Sequence, residues 1–478
     1  MKYDALVFTD FSGSIWSRGL GAYRFATYLR RKGLRVRVID MVTEFSEDEV
    51  DAILKANVSD ETKFIGISTT FLANLEKSPL DPYSVRRLDY GVLGRIAAFC
   101  RAREPRLRLI IGGTGVAAFR QLEPDLAYFG YAESEIDAFL TSTTTDVTHF
   151  STTKTFDFSS LDCEYADTDF IEPGEALVLE VSRGCRFRCK FCAFPLNGRK
   201  TGGYVKTDES LRHELMRNYE RFGTTQYFFS DDTFNESVDK LRAFAPVLAS
   251  LPFKVEFAAF LRLDLIRAYP ETIELLHRMG LKAAFFGIES LHEKSARAIG
   301  KGLSAEQVFE TLGDLKKAWG ADVHITTSYI FGLPHDTAET VGAWFKPVMS
   351  GEVHTHSVVV NPLYLIDKDP RDAKSLLEQD PEKYGYDTTS RVGSLMVWKN
   401  PHWSFEECRL LAGELLNGYH EKNGNSPEYY KQLVLRGYGY SEAETLALDM
   451  NSRSDCEGIV SRVTSRIERY KRHVLAGI

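Results

Sequence analysis

The chain of 478 residues is short of cysteine, of basic charge and of long apolar runs, and each shortage closes off a class of protein. Seven cysteines are too few to staple a chain of this length, since disulfide scaffolds belong to small secreted domains. A formal net charge of −8 leaves no broad basic surface for phosphate backbones. Nucleic acid is therefore a disfavoured partner, although Arg183, Arg186, Arg188 and Lys190 leave room for a local basic groove. No uninterrupted apolar run approaches the ~20 residues that span a bilayer, so no membrane segment is expected. Met1-Lys2-Tyr3-Asp4 runs straight into a strand-like stretch, without the basic flank, apolar stretch and small-residue cleavage site of a secretory signal. A cytoplasmic protein is expected. Residues 1–148 contain no histidine.

What is present is an ordinary globular composition, 44% hydrophobic and 26% charged, in a chain long enough for two or three domains. From residue 4 to about 140, short apolar runs alternate with amphipathic stretches. Ala5-Leu6-Val7-Phe8, Val36-Arg37-Val38-Ile39, Phe64-Ile65-Gly66-Ile67 and Leu109-Ile110-Ile111 read as strands, with helices over 21–32, 47–55 and within 87–101. This predicts an α/β domain over 1–140 with a doubly wound parallel sheet. Residues 141–170, rich in Thr, Ser and Asp, read as a linker.

A second β–α series fills 171–370. Strands are expected at 176–180, 226–229, 255–258, 283–286, 324–331 and 357–360, separated by helices such as 209–222, 236–248 and 305–319. Six units predict a partial (β/α)6 barrel of TIM type, with its site at the C-terminal ends of the strands. Residues 371–478 read as a helical C-terminal extension, with helices at 405–417, 441–449 and 457–474. Neither an internal repeat nor a low-complexity tract interrupts this order.

Three of the seven cysteines crowd into eight positions directly after the first barrel strand, in Gly184-Cys185-Arg186-Phe187-Arg188-Cys189-Lys190-Phe191-Cys192. Thiolates spaced C-x-x-x-C-x-x-C on one short loop can wrap three corners of an iron–sulfur cubane and leave the fourth iron open to a ligand. A zinc site is the alternative, but it needs four protein ligands, and the nearest histidines are the distant His149 and His213. Cys100, Cys163, Cys408 and Cys456 stand alone and read as small buried hydrophobes.

The loop resembles that of the radical S-adenosylmethionine (SAM) superfamily, in which this cysteine spacing follows the first barrel strand and an aromatic precedes the last cysteine. The resemblance implies that Cys185, Cys189 and Cys192 hold a [4Fe–4S] cluster and that Phe191 packs near the SAM adenine, with plain core packing as the alternative. It continues through later strand ends over about residues 175–370. Ser230-Asp231-Asp232-Thr233-Phe234 resembles an Asp-Asp-x-Phe stretch, which implies that Asp231 or Asp232 approaches the SAM amino group, although both also suit a helix cap. Arg262-Leu263-Asp264 resembles an Arg-x-Asp pattern, with Arg262 pairing the SAM carboxylate or else making a structural ion pair. Gly287-Ile288-Glu289-Ser290 implies hydrogen bonds from SAM to Glu289, which could instead order its loop. Phe331-Gly332-Leu333-Pro334-His335-Asp336 resembles a Gly-Leu-Pro-Gly-Glu segment with His335 and Asp336 in place of Gly and Glu. Gly332, and Leu363 at the end of the sixth strand, fall where backbone approaches the cofactor.

The first domain resembles the cobalamin-binding domain that often precedes such a barrel. Leu20 and Gly21, Ser68-Thr69-Thr70, Gly112-Gly113-Thr114 and Gly130 carry that resemblance, since small residues at strand ends permit close approach of a ligand. A Rossmann-like scaffold without cofactor is the alternative. The lack of histidine before residue 149 excludes a histidine ligand to cobalt from this domain.

The resemblance implies a radical SAM enzyme. An external one-electron donor of flavodoxin or ferredoxin type reduces the cluster, SAM is split, and a 5′-deoxyadenosyl radical takes a hydrogen from a small-molecule or peptide substrate. Cobalamin-dependent C-methylation is one outcome; rearrangement, cyclisation or epimerisation without cobalamin is another. A non-enzymatic iron–sulfur or zinc module, or an RNA-binding role for the first domain, is the reading from another class.

Overall fold

Runs such as Ala5-Leu6-Val7-Phe8 and Tyr227-Phe228-Phe229, apolar at consecutive positions, suit strands buried on both faces, which is the situation in parallel sheets covered by helices. The computed structural model describes every residue except 1, 12–16, 71, 73–76, 79–80, 86–89, 114–118, 120, 130–135, 142–147, 152–157, 160, 195, 200–202, 368–373, 393 and 478. It divides into two units, one of residues 1–179, 213–224 and 456–478, the other of 180–212 and 225–455.

In the first unit a six-stranded sheet has the order Val36–Ile39, Ala5–Phe8, Phe64–Ser68, Arg108–Gly112, Leu126–Phe129, Thr148–Ser151, with parallel pairing throughout. The winding reverses at Ala5–Phe8, as expected for a doubly wound sheet. The last strand falls within the stretch read as a linker, so part of that stretch extends the sheet. Helix Glu47–Asn57 shows why these connections form where they do. Ser46 accepts from the Glu49 N–H while the Glu49 carboxylate accepts from the Ser46 N–H, and Val50, Ile53 and Leu54 are buried on one face.

A charged cluster also ties this unit together. Arg18 Nε donates to Glu175 at 2.7 Å, Arg466 pairs with the same carboxylate, and Tyr23 Oη donates to Asp40 at 2.7 Å. All five are buried. The Asp40 N–H donates to Tyr470 Oη at 2.7 Å, and Ile459, Val463, Arg466, Tyr470 and Val474 bury one face of helix Arg453–Ala476. From Cys456 onward that helix therefore belongs to the first unit, and not to a separate C-terminal extension.

The second sheet has the order Leu177–Leu179, Gln226–Phe229, Glu256–Leu261, Leu281–Glu289, His324–Phe331, Ser357–Pro362, the order of the sequence itself. The pairings from Gln226–Phe229 onward are parallel. Helices begin at capping boxes, Ser304 with Gln307 and Thr337 with Thr340. This is the expected partial barrel. Beyond residue 370 the structure adds what the helical reading did not contain, an antiparallel hairpin of Asp387–Val392 and Leu395–Lys399. Met396 and Trp398 are buried and their neighbours less so, a period of two that marks a strand but is too short to stand out among helices.

Candidate active site

The cysteine loop is shaped by backbone bonds along its length, and backbone groups of Phe187 and Phe194 also reach the Cys185 and Cys192 thiols. Gly184 adopts φ +70°, and a Cβ there would lie 2.5 Å from the Leu196 Cβ, so glycine is required where the chain turns into Cys185. The Cys185 carbonyl accepts from the N–H groups of Gly198 and Arg199 at 2.9 and 3.0 Å. Cys192 N–H donates to the Cys189 carbonyl at 3.1 Å, and Asn197 Nδ2 donates to the Cys192 carbonyl at 3.0 Å. Lys190 donates to the Ile299 carbonyl and accepts from the Leu377 N–H, both at 3.0 Å. Buried Glu236 accepts from the Arg186 N–H at 3.2 Å and pairs with Arg199, which also donates to the Arg183 carbonyl. The loop is thus held from both flanks.

Its three thiols lie close enough to feel one another's charge, and burial pushes Cys192 up to about 12 and raises Cys185. A bound cation would reverse that preference and hold them as thiolates. Cys185 Sγ lies 3.3 Å from Thr233 Oγ1, and Arg262 Nη1 donates to Cys189 Sγ at 3.3 Å. Among the described residues no three His, Cys, Asp or Glu side chains converge on one ion position. A cubane asks instead for one thiolate at each of three irons, and three mutually coupled thiols on one rigid loop, with a guanidinium beside one of them, fit that demand.

The two aspartates after strand Gln226–Phe229 have different duties. Asp231, 1% exposed, accepts from the Val181 N–H at 2.8 Å, from Ser182 Oγ and from buried Lys240 at 3.1 Å. Its oxygens are committed to fixing the start of the cysteine loop, so the structure withdraws it from the candidates for the SAM amino group. Asp232 has no hydrogen-bond partner for its carboxylate among the described residues. Burial, then the charges of Asp231 and Glu236, push it up to about 7. A cationic ligand would relieve both effects.

Arg262 is held on every side. Asn235 accepts from its N–H at 2.8 Å and donates to its carbonyl at 3.0 Å, Asp264 takes Nε and Nη2 at 3.0 and 2.6 Å, and its guanidinium lies 3.9 Å from the Phe187 ring centre. It serves Cys189 and Asp264 in this arrangement, and the expected bond to a SAM carboxylate would have to use its remaining N–H groups. Glu289 is buried at the end of its strand with φ +69°, a conformation rare for a residue with a Cβ. Its carboxylate lies 3.6 Å from Lys301 Nζ, and burial raises its pKa. A Cβ on Gly287 would meet Glu289 Oε1 at 2.3 Å, so that glycine makes room for the carboxylate. Phe191 is half-buried.

Gly332 and Leu363 are placed differently from the expectation. A Cβ on Gly332 would meet Trp398 at 2.6 Å, its carbonyl accepts from Tyr386 Oη at 2.7 Å, and the Leu363 carbonyl accepts from Trp398 Nε1 at 2.7 Å. The Leu363 N–H is bonded to the Phe331 carbonyl at 2.8 Å. Both residues receive the C-terminal hairpin, which explains the glycine without a cofactor. Thr233, Asn235, Glu236, Arg199, Lys240 and Phe187 are the site residues that sequence reasoning missed. Only Lys240, four residues after Glu236 in the first turn of helix Val238–Ala249, left a spacing signal.

In the first unit Ser68, Thr69, Thr70, Gly112 and Gly113 meet at the ends of adjacent strands. Thr69 donates to the Gly112 carbonyl from its N–H at 2.6 Å and from Oγ1 at 2.9 Å. A Cβ on Gly113 would lie 2.5 Å from Thr70 Oγ1. Ser68 and Thr70 are half-buried, with no side-chain partner among the described residues. Leu20 is buried, while Gly21 opens to space at the start of helix Leu20–Arg31. Thr114 and Gly130 lie outside the described residues.

Residues 179–346 match the Radical SAM superfamily. The matched segment contains the cysteine loop and the strand ends just described. An uncharacterized methyltransferase of Pyrococcus horikoshii is 30% identical over 173 residues, 35% of this chain and 36% of that protein. A bacteriochlorophyllide d C-8(2)-methyltransferase of Chlorobaculum tepidum is 23% identical over 180 residues, 36% of this chain and 38% of that protein. The matches thus span little more than a third of either relative. Over nearly its whole length the chain has the fold of two solved proteins. The radical SAM methyltransferase TsrM from Kitasatospora setae, with cobalamin and a [4Fe–4S] cluster bound, matches with TM-score 0.66 and 13% identity, over 98% of this chain and all of that one (100%). The cobalamin-dependent radical SAM enzyme OxsB, with aqua-cobalamin and SAM bound, matches with TM-score 0.64 and 14% identity over 99% and 80%.

Proposed function

We propose that this chain is a radical SAM enzyme that holds a [4Fe–4S] cluster on Cys185, Cys189 and Cys192 and uses it for cobalamin-dependent methylation of carbon in a small-molecule or peptide substrate. The observation that carries the reading is the loop itself, which brings three thiols together beside Thr233 and Arg262 within the matched segment. When bound and reduced by an external donor of flavodoxin or ferredoxin type, the cluster supplies the electron that splits SAM into methionine and a 5′-deoxyadenosyl radical.

The chain's own residues do the rest. Arg262 steadies the Cys189 corner and Thr233 the Cys185 corner. Asp232 is the carboxylate left to receive the SAM ammonium, a charge-assisted bond. Glu289 and Phe191 are the remaining candidates for SAM contact, while Asp231 and Lys240 position the loop. In the first unit the Ser68 and Thr70 hydroxyls, beside a backbone kept low by Gly112 and Gly113, suit the amide edge of a corrinoid. Relatives named as methyltransferases and the two cobalamin-bound neighbours support this part. Radical chemistry without cobalamin is the second reading, favoured by one observation: the contact of Gly113 with Thr70 accounts for that glycine with no ligand.

Anaerobic reconstitution tests both. The proposal expects iron and sulfide in the ratio of a [4Fe–4S] cluster, 5′-deoxyadenosine on reduction with SAM, and a corrinoid spectrum after incubation with hydroxocobalamin. A protein that makes 5′-deoxyadenosine but takes up no corrinoid would select the second reading.

A further inference from the structure

Exposed arginines on this chain commonly face a carboxylate, as in Arg35 with Asp4 at 2.9 Å, Arg95 with Asp51 at 2.7 Å, Arg242 with Glu271 at 3.1 Å and Arg409 with Glu406 at 2.6 Å. The cysteine loop departs from this. Arg186 and Arg188 are exposed and Lys190 half-buried, and none of the three side chains has an ion-pair partner among the described residues. Lys190 Nζ lies 5.7 Å from the Tyr384 ring centre, and exposed Lys383 lies 6.0 Å from the same ring, so a fourth cation joins the group. Asp380, which accepts from the Lys383 N–H at 3.3 Å, and Glu382 in that turn are exposed and offset two of the four charges. Uncompensated cations repel one another, and they persist in a chain of net charge −8 on both sides of Cys189.

We propose that this face is the docking surface for an acidic one-electron carrier protein, which delivers the reducing electron to the cluster. The inference rests on the radical SAM reading above. In the step itself the carrier is oxidised by one electron and the cluster reduced by one, with no bond made and no proton moved. Redox encounters are small and short-lived, so charge complementarity, which steers approach and fixes orientation, matters more in them than buried apolar area. The net negative charge of the whole chain repels an acidic carrier, which leaves this local positive face as the favoured approach.

The test uses the cluster-loaded full chain mixed with reduced flavodoxin, with bleaching of the cluster's visible absorbance followed in a stopped-flow instrument. At low salt an Arg186→Gln/Arg188→Gln/Lys383→Gln variant is expected to be reduced about ten-fold more slowly than wild type, with the gap closing at high salt, because rim charges act on association rate. Iron and sulfide content, and the extent of reduction by dithionite, should be the same in both proteins. Equal flavodoxin rates in the two proteins would overturn the docking surface, and so would a wild-type rate indifferent to salt. A salt-sensitive shift with RNA, lost in the variant while the flavodoxin rate is not, would assign the cations to nucleic acid instead. A wild type that assembles no cluster would overturn the underlying reading and the docking surface with it.

Discussion

In the first sheet Ala5–Phe8 lies between Val36–Ile39 and Phe64–Ser68, so the winding of the chain reverses there; in the second sheet, six strands follow one another in sequence order. Such a reversal is where a doubly wound sheet offers a crevice at its strand ends, and Ser68 ends one of the two strands beside it. A sequentially wound sheet has no such crevice and must build its site from side chains on the loops. In the function proposed above, the second unit does so with Cys185, Cys189, Cys192, Asp232 and Arg262. The two ends therefore fail in different ways. Substitutions in the second unit should strike the cluster and SAM, whereas the first unit should be most sensitive in the charged network beneath its sheet.

The largest effects on folding should come from the buried charges. Glu175→Ala leaves Arg18 and Arg466 buried without their shared carboxylate, and Asp231→Ala does the same to Lys240. Each should cost about 3–5 kcal/mol in urea unfolding. The comparison sharpens if Glu175→Ala retains cluster and SAM cleavage at low temperature while Asp231→Ala loses both. Equal loss in both variants would show the two units to be one cooperative whole. Asp232→Asn should leave the fold intact and weaken SAM binding by about 1.5–3 kcal/mol, the worth of a hydrogen bond to a charged group, measured by equilibrium dialysis. An unchanged dissociation constant would remove Asp232 from the site.

A smaller effect, confined to the second unit, concerns pH. His324 is buried at the start of its strand, and desolvation lowers it from 6.5 to about 3, while His356 beside it is also lowered. An imidazole neutral in the fold but basic in the unfolded chain costs nothing above about pH 6.5 and opposes folding increasingly below it. Between pH 7 and 5 the loss should be about 2 kcal/mol, and His324→Gln should remove it. The same slope in both proteins would contradict this. Smallest of all, Ser68→Ala and Thr70→Ala should each weaken corrinoid binding by about 1 kcal/mol without touching SAM cleavage.

Much of this was legible in the sequence. The strands at 5–8, 36–39, 226–229 and 324–331 appear with those bounds, because consecutive apolar residues between turn signals have few other uses. The cysteine loop was legible because its spacing is compact and local. The division of labour between Asp231 and Asp232 was not, since it depends on Lys240 and the Val181 N–H, which approach only after folding. Gly332 and Leu363 misled for the same reason. Their partner Trp398 is far away in sequence, in a hairpin whose short period-two pattern was lost among helices.

The central claim is that three cysteines on one loop hold a cluster that splits SAM. Its most direct test is electron paramagnetic resonance of the reduced protein together with 5′-deoxyadenosine formation, in wild type and in Cys185→Ala, Cys189→Ala and Cys192→Ala. The account predicts a [4Fe–4S] signal perturbed by SAM and product in wild type, and no product in any of the three variants. Equal product in all four proteins would contradict it.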